Sequence, residues 1–427
     1  MDSLPTLPAR LSTCLLASLA LIPLAGCAKL AAIKQQAERV DNAASITGRV
    51  TTDGKSEDDV LVAVLRKRSE STLALYRVVP TTSAGAFSVQ VPPGHYLVAA
   101  FIDRNRDGRH QTDEPGAFYG EPTTLTMAEQ GSERITIRIN PDSHPTLAGV
   151  EVDRTPIVAT GAGVVAPLSD PRFDPANYTV GLWRPLDFLA SPGGGLYFLQ
   201  EYDPKRVPVI FVHGIGDGPR RWQAAIDSLD STRFQPWVLY YPSGLRLETI
   251  SNFFAGAVHE LRRRYGFQRF DVVAHSMGGL VTRSFVQRLA AHYPEDLPAL
   301  RLVITVNSPQ GGMPSAASGV EYSPIVIPSW QDVASGSEFL ANLDKRGWPE
   351  QVPLHLVFSY DGDENGDGTV ALASQLPAGL QSAAVRLYGF EGTHVSTLAD
   401  GRFLGLMNQL LGTTVDTPPA TAARPAR

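Results

Sequence analysis

Phe270-Asp271-Val272-Val273-Ala274-His275-Ser276-Met277-Gly278-Gly279 is the stretch whose reading decides the fold. Phe270 to Ala274 is an almost unbroken apolar run, as expected for a parallel strand buried on both faces. Two glycines then open a segment, MGGLVTRSFVQRLAAHY, with helical spacing of apolar residues. The serine between them sits at a tight strand-to-helix turn, and such a turn needs small residues two positions either side. Ala274 and Gly278 supply them. The turn lifts the Ser276 hydroxyl above the sheet, at a helix start whose free N–H groups and positive dipole end favour a developing negative charge. His275 points away along the turn and reads as structural.

Outward from this point the chain alternates strands and helices. VPVIFVHG, PWVLYYP, LRLVITVNSP, LHLVFSY and VRLYGF read as strands, and ETISNFFAGAVHELRRRYG as a helix with a cationic C-terminus. Such alternation predicts a mostly parallel sheet with helices on both faces over residues 196–413. The serine turn is a nucleophile elbow, G-x-S-x-G, with Ala in place of the first Gly. Acyl transfer at such a serine needs two N–H donors for the oxyanion. The residue after the nucleophile, Met277, offers one, and Ile215 in the loop His213-Gly214-Ile215-Gly216 offers the other. His213 is expected to hold that loop.

The base is expected after the nucleophile in chain order, with an acid between them. Downstream lie His292, late on the helix after the elbow, His355, at the start of a buried strand, and His394, in the loop following VRLYGF. His394 is the expected base. The loop after LHLVFSY offers Asp361, Asp363, Glu364 and Asp367. Asp367 directly precedes the helix-like run TVALASQL and is preferred, with Asp363 as the alternative. The order Ser276, Asp367, His394 and the motifs VHGIG, AHSMGG and GTH resemble the lipase branch of the α/β-hydrolase superfamily, over residues 205–400. They are most similar to bacterial lipases with an Ala elbow, and the layout also resembles enzymes that deacylate glycosylphosphatidylinositol anchors. In related lipases the acid stands in the pattern D-x-x-V before a helix, which Asp367 to Val370 matches. The resemblance implies a carboxylic ester hydrolase acting on acyl lipids through a Ser-His-Asp triad, with no cofactor required for catalysis. An acyltransferase or thioesterase on the same triad is the alternative, and a non-catalytic surface binding protein a more distant one. The stretch 313–350 interrupts the α/β rhythm and is expected to form a lid.

The N-terminus reads as an address. LSTCLLASLALIPLA (residues 11–25) is too short for a comfortable membrane span and ends in small residues, as signal peptides do. Leu24-Ala25-Gly26-Cys27 resemble a bacterial lipobox, which implies a signal peptide over 1–26 and lipidation of Cys27, with a tether over 27–44. Several acyl chains at one cysteine would anchor the protein durably. Ala28 after the cysteine implies the outer membrane of a bacterial envelope. Residues 45–141 are short β-rich runs broken by Gly, Pro and Asp, which predicts a small all-β sandwich. They loosely resemble carboxypeptidase regulatory-like domains. Residues 142–195 read as a linker that becomes the entry segment of the next domain, and 414–427 as a disordered tail. Asp103, Asn105, Asp107 and Glu114, with the Arg109 carbonyl, follow a D-x-N-x-D-G calcium-loop pattern with an acid at position 12 and are candidate ligands for a structural Ca²⁺.

Composition agrees with this division. The chain has 427 residues, 43% of them hydrophobic, enough for packed cores, and its net charge of −6 argues against nucleic acid as a partner. The two cysteines, Cys14 and Cys27, exclude a four-cysteine zinc site and a multi-disulfide framework. The expected partners are an ester or lipid substrate and the membrane that holds the Cys27 anchor. Replacing Cys27 with Ser should move the protein from the membrane fraction to the soluble one. Retention with the membranes after ultracentrifugation would count against the lipobox.

Overall fold

The computed structural model describes residues 22–52, 59–67, 72–82, 86–104, 111, 113–120, 124–144, 151–153, 162–362 and 365–415. Residues 1–21 of the expected signal peptide, Asn105, Asp107 and Arg109 of the expected calcium loop, Asp363 and Glu364 of the acidic loop, and residues 416–427 lie outside them. The first element is helix α1 (Ile22–Asp41), which contains the Cys27 backbone. No described helix is long and apolar enough to cross a membrane.

An all-β region follows. Its strands are β1 (Ala44–Thr52), β2 (Asp59–Lys67), β3 (Thr72–Thr82), β4 (Ala86–Val91), β5 (Gly94–Asp103), β6 (Gly116–Phe118), β7 (Leu125–Met127), β8 (Ser132–Ile139) and β9 (Glu151–Asp153). Three of them form a sheet in the order β4-β1-β8. The others form a second sheet along β6-β5-β2-β3-β9, with β7 also on β5. The two sheets meet over one core, in which Ile46, Val89 and Ile135 of the small sheet pack with Val62, Val98 and Ala100 of the large one. Strand β8 alternates buried and exposed residues because its outer face is uncovered. Strand β5 is buried continuously because a second cluster, with Leu97, Ala99 and Phe101, covers its other face.

The larger domain is built on seven strands. They are β10 (Gly195–Phe198), β11 (Val207–Val212), β12 (Phe234–Tyr240), β13 (Phe270–His275), β14 (Leu300–Val306), β15 (Leu354–Tyr360) and β16 (Arg386–Glu391). Their order is β10-β12-β11-β13-β14-β15-β16. Only β10 runs antiparallel to its neighbour. Alternation along the strands sorts side chains to two cores. Ile210, Val212, Val272, Ala274 and Val303 face one, and Val209, Phe211, Val273, Leu302 and Ile304 the other.

Helices α5 (Leu247–Tyr265) and α6 (Met277–His292) cover the first face, where Phe254 and Phe285 stack with ring centroids 3.8 Å apart. Helix α5 ends at Gly266, whose φ of +70° gives the left-handed stop that its cationic last turn announces. The second face is covered by α4 (Gln223–Asp227), α12 (Gly401–Val415) and the segment holding α2 (Ala176–Trp183) and α3 (Pro185–Ala190). That segment falls within residues 142–195, expected as a linker and entry segment. From Ala166 onward it is part of the core, since Phe173, Tyr178 and Phe188 are buried against Tyr240.

The stretch 313–350 forms α7 (Pro314–Tyr322), α8 (Pro328–Val333) and α9 (Glu338–Arg346). Helices α8 and α9 bury Val333, Leu340 and Leu343 in the first core. Buried Asp332 caps α5 by accepting from the Leu247 amide at 2.6 Å and pairs with Arg246. Only α7 buries none of its residues, so most of this excursion is fixed to the domain. The chain then runs through α10 (Leu372–Gln375), shorter than TVALASQL suggests, and α11 (Ala378–Ala383). Phe285→Ala would empty the centre of the α5–α6 interface and should lower stability by about 3–5 kcal/mol, read as a shift of the urea unfolding midpoint.

Candidate active site

Ser276 joins β13 to α6 at φ +54° and ψ −131°, a backbone conformation that strongly disfavours any residue but glycine. Its amide donates to the Val306 carbonyl at 2.9 Å, tying the turn to β14. The sequence permits the turn because Gly278 carries no side chain. A Cβ there would lie 2.5 Å from the His213 carbonyl oxygen and 2.6 Å from that of Val212. Helix α6 is buried from Met277 to Leu289, so it cannot shift to relieve the serine.

The loop after β11 lies directly against Ser276. A Cβ on Gly214 would be 2.9 Å from Ser276 Cβ and 3.3 Å from its Oγ. The next amide is that of Ile215, and Met277 opens α6. Among the described residues neither amide has a protein acceptor. His213 holds this loop as expected. Its Nδ1 donates to the Gly214 carbonyl at 2.9 Å, and its ring stacks on Tyr241 at 4.1 Å. Its carbonyl accepts from the Tyr241 hydroxyl at 2.5 Å. Burial lowers its pKa to about 4, so it stays neutral.

His394 comes from the loop after β16 and Asp367 from the loop after β15. His394 Nε2 lies 2.9 Å from Ser276 Oγ, and its Nδ1 lies 2.7 Å from Asp367 Oδ2. A carboxylate only accepts, so Nδ1 carries the proton, and Nε2 of the neutral ring accepts from the serine hydroxyl. Asp367 is 1% exposed. Its Oδ1 accepts from the amides of Thr369 at 2.9 Å and Val370 at 2.7 Å. Burial pushes this carboxyl up. The hydrogen bonds from His394 and from the Val370 and Thr369 amides outweigh it, and the pKa falls below the ordinary aspartate value. The two amides explain the D-x-x-V spacing: the third residue's N–H closes the turn while its apolar side chain, Val370, is buried beneath it.

His275 is buried, and its Nε2 donates to the carbonyl of His394 at 2.9 Å. Burial, and then the neighbouring His394, lower its pKa to about 3, so it is a neutral strut. The same carbonyl accepts from Asn307 Nδ2 at 3.0 Å. Sequence reasoning missed Asn307. Its signal was available: an Asn directly after a buried strand suits the left-handed conformation it adopts, φ +51°. His292 is exposed and His355 lies buried in β15, and neither is hydrogen-bonded to the three residues above.

Of the candidate calcium ligands, Asp103 and Glu114 are described, and both are buried. Glu114 accepts backbone amides on both oxygens, from Arg104 and Gln111, each at 2.9 Å, and so closes its own loop. His259, Glu295 and Asp296 cluster elsewhere, at the end of α5. Arg262 already occupies Asp296 at 2.5 Å, which fits a structural ion pair better than a metal.

The seven-stranded sheet, with a serine at the β13–α6 turn and its partners on the loops after β15 and β16, defines an α/β-hydrolase fold preceded by an all-β region. Residues 246–378 match the family model described as an alpha/beta hydrolase of unknown function (DUF915). Among solved structures the chain is similar to the lin2722 product of Listeria innocua (16% identity, TM-score 0.38, covering 48% of this chain and 94% of that one). It is also similar to mature Bacillus licheniformis lipase BlEst2 (16%, 0.40, 50% and 94%) and to Paleococcus ferrophilus monoacylglycerol lipase (16%, 0.37, 51% and 99%). No curated protein sequence matches. Gly214→Ala should abolish reaction of Ser276 with an ester analogue while leaving the melting temperature within a few degrees, because the new methyl meets the serine side chain. A variant as reactive as the parent would show that this loop does not abut the nucleophile.

Proposed function

We propose that the protein is a serine hydrolase of carboxylic esters, with acyl lipids as the preferred substrates, held at a bacterial outer membrane through lipid on Cys27. The observation that carries this reading is the hydrogen-bonded line from Ser276 Oγ through His394 to Asp367 Oδ2. Ser276 Oγ attacks the ester carbonyl carbon as its proton passes to His394 Nε2. The Asp367 carboxylate stabilises the imidazolium without taking its proton. The Ile215 and Met277 amides hold the oxyanion, a stabilisation worth about 2.7–4 kcal/mol for one such donor. Collapse of the tetrahedral intermediate expels the alcohol, which takes the proton from His394 and leaves an acyl-Ser276 ester. Water activated by His394 then releases the acid. The preference for lipid is supported by two apolar side chains beside the site, Ile215 after Gly214 and Val395 after His394, each 38% exposed.

A fluorophosphonate probe should label Ser276 in the folded protein and spare Ser276→Ala, whose turnover of p-nitrophenyl esters should fall by a factor on the order of 10⁶. Rates across an ester series of increasing chain length should rise toward the longer acyl groups. Failure of Ser276 to label would sink the enzymatic reading, and a series that falls steadily from acetate would sink the lipid preference alone.

A further inference from the structure

A cleft of about 1380 Å³ lies between the all-β region and the far side of the hydrolase domain. One wall is the outer face of the β4-β1-β8 sheet with part of β3, and the other is the exposed face of α5 with the C-terminal end of α6. Arg288, which lines it, stands twelve residues along α6 from Ser276, about 18 Å at the helical rise. The cleft is thus separate from the candidate active site.

Its charge is one-sided. A chain of net charge −6 lines this cleft with seven arginines and only two carboxylates, Glu248 and Glu260. On the hydrolase wall the arginines are already engaged, Arg288 with Glu248 and Arg246 with Asp332. On the β wall Arg66 reaches only a neutral acceptor, the Pro93 carbonyl at 3.4 Å. Thr47 pairs with Arg134 and Arg49 with Thr136 across β1 and β8, so the two arginines are diagonal neighbours on one sheet face. The alternate residues Ile46, Val50, Ile135 and Ile137 point into the core. Arg77, on β3 of the other sheet, also lines the cleft and is half-buried. Among the described residues the side chains of Arg49, Arg77 and Arg134 form no hydrogen bond and no ion pair. Burial lowers the Arg77 pKa, with the Tyr76 phenol opposing it. A partly desolvated guanidinium without a counter-charge is unfavourable, and like charges on one sheet face repel. An anion seated among them would offset both.

We propose that this cleft is a binding site for a phosphorylated anion, with Arg49, Arg77 and Arg134 as its ligands. The guanidinium fork matches phosphate oxygens two at a time, and three such groups lining one wall suit a phosphomonoester or phosphodiester better than a single carboxylate. The volume accommodates a phosphorylated headgroup as readily as a soluble polyphosphate. The site does not rest on the catalytic reading, since none of its three ligands touches Ser276, Asp367 or His394.

The test uses the full chain carrying Cys27→Ser, so that no acyl anchor contributes to membrane binding. Calorimetric titration with inorganic pyrophosphate probes a soluble ligand, and co-sedimentation with phosphatidylglycerol against phosphatidylcholine vesicles probes a headgroup. Saturable binding in either arm is expected. The combined variant Arg49→Gln, Arg77→Gln, Arg134→Gln should weaken it at least tenfold while p-nitrophenyl acetate hydrolysis and the melting temperature hold. Pyrophosphate binding alone identifies a soluble source, and selective sedimentation with phosphatidylglycerol a lipid one. Should the triple variant fail to fold, the exposed pair Arg49→Gln, Arg134→Gln carries the same expectation. Absence of binding in both arms, or unaltered binding by the variant, overturns the proposal.

Discussion

The left-handed backbone at Ser276 is the constraint around which the hydrolase domain is organised. Such a conformation costs on the order of 1–3 kcal/mol and persists only where its surroundings over-determine it. Here three strands do so. β13 delivers the serine, β14 receives its amide through Val306, and the end of β11 brings Gly214 against its side chain and the His213 carbonyl against Gly278. Helix α6, buried for its first thirteen residues, closes the remaining way out. Because β11, β13, β14, β15 and β16 run parallel, their C-terminal ends share one edge, and loops from four of them meet at this turn.

The same edge fixes the histidine through its backbone. The His394 carbonyl accepts from both His275 and Asn307, and the His394 amide donates to the Asp367 carbonyl at 2.9 Å. With its main chain pinned on two sides, the imidazole needs only the Asp367 carboxylate to set its tautomer. Thr397 extends the support: its hydroxyl donates to the Thr393 carbonyl at 3.2 Å and lies 2.6 Å from Ser359 Oγ. His275, adjacent to Ser276 in sequence, thus acts on His394, one hundred and nineteen residues away.

How much of this could be read from the chain differs with the physics involved. Strands β11, β13 and β14 were legible because parallel strands buried on both faces are written as unbroken apolar runs. Ser276 and His394 followed from chain order and from their places at strand ends. Asp367 was less legible, since composition offers four acids in one loop; its place before TVALASQL and the family's D-x-x-V pattern favoured it, and the contacts from His394, Thr369 and Val370 are written in no local pattern. Residues 166–190 read as an entry segment without definite elements, because Phe173, Tyr178 and Phe188 are spaced by prolines and glycines with no helical or strand period, and they fill a core. The stretch 313–350 looked like a cover for the same reason. Its burial depends on Asp332 meeting Arg246 and the Leu247 amide, contacts that no local pattern announces.

Three buried aspartates show what makes the candidate acid different. Asp271, Asp332 and Asp367 are each about 1% exposed or less. Burial raises Asp271 to about 6 even though Arg301 pairs with it. Burial likewise raises Asp332 to about 6, against Arg246 and one amide. Asp367 moves the other way with no guanidinium at all, because an imidazole N–H and two amides converge on its two oxygens. A guanidinium on a long side chain brings its own desolvation into the core, whereas amides in a tight turn are already ordered and already dry. Keeping this carboxylate ionised beside an apolar sheet edge is therefore shared between the His394 imidazole, which contributes most, and the Val370 and Thr369 amides of the turn after β15.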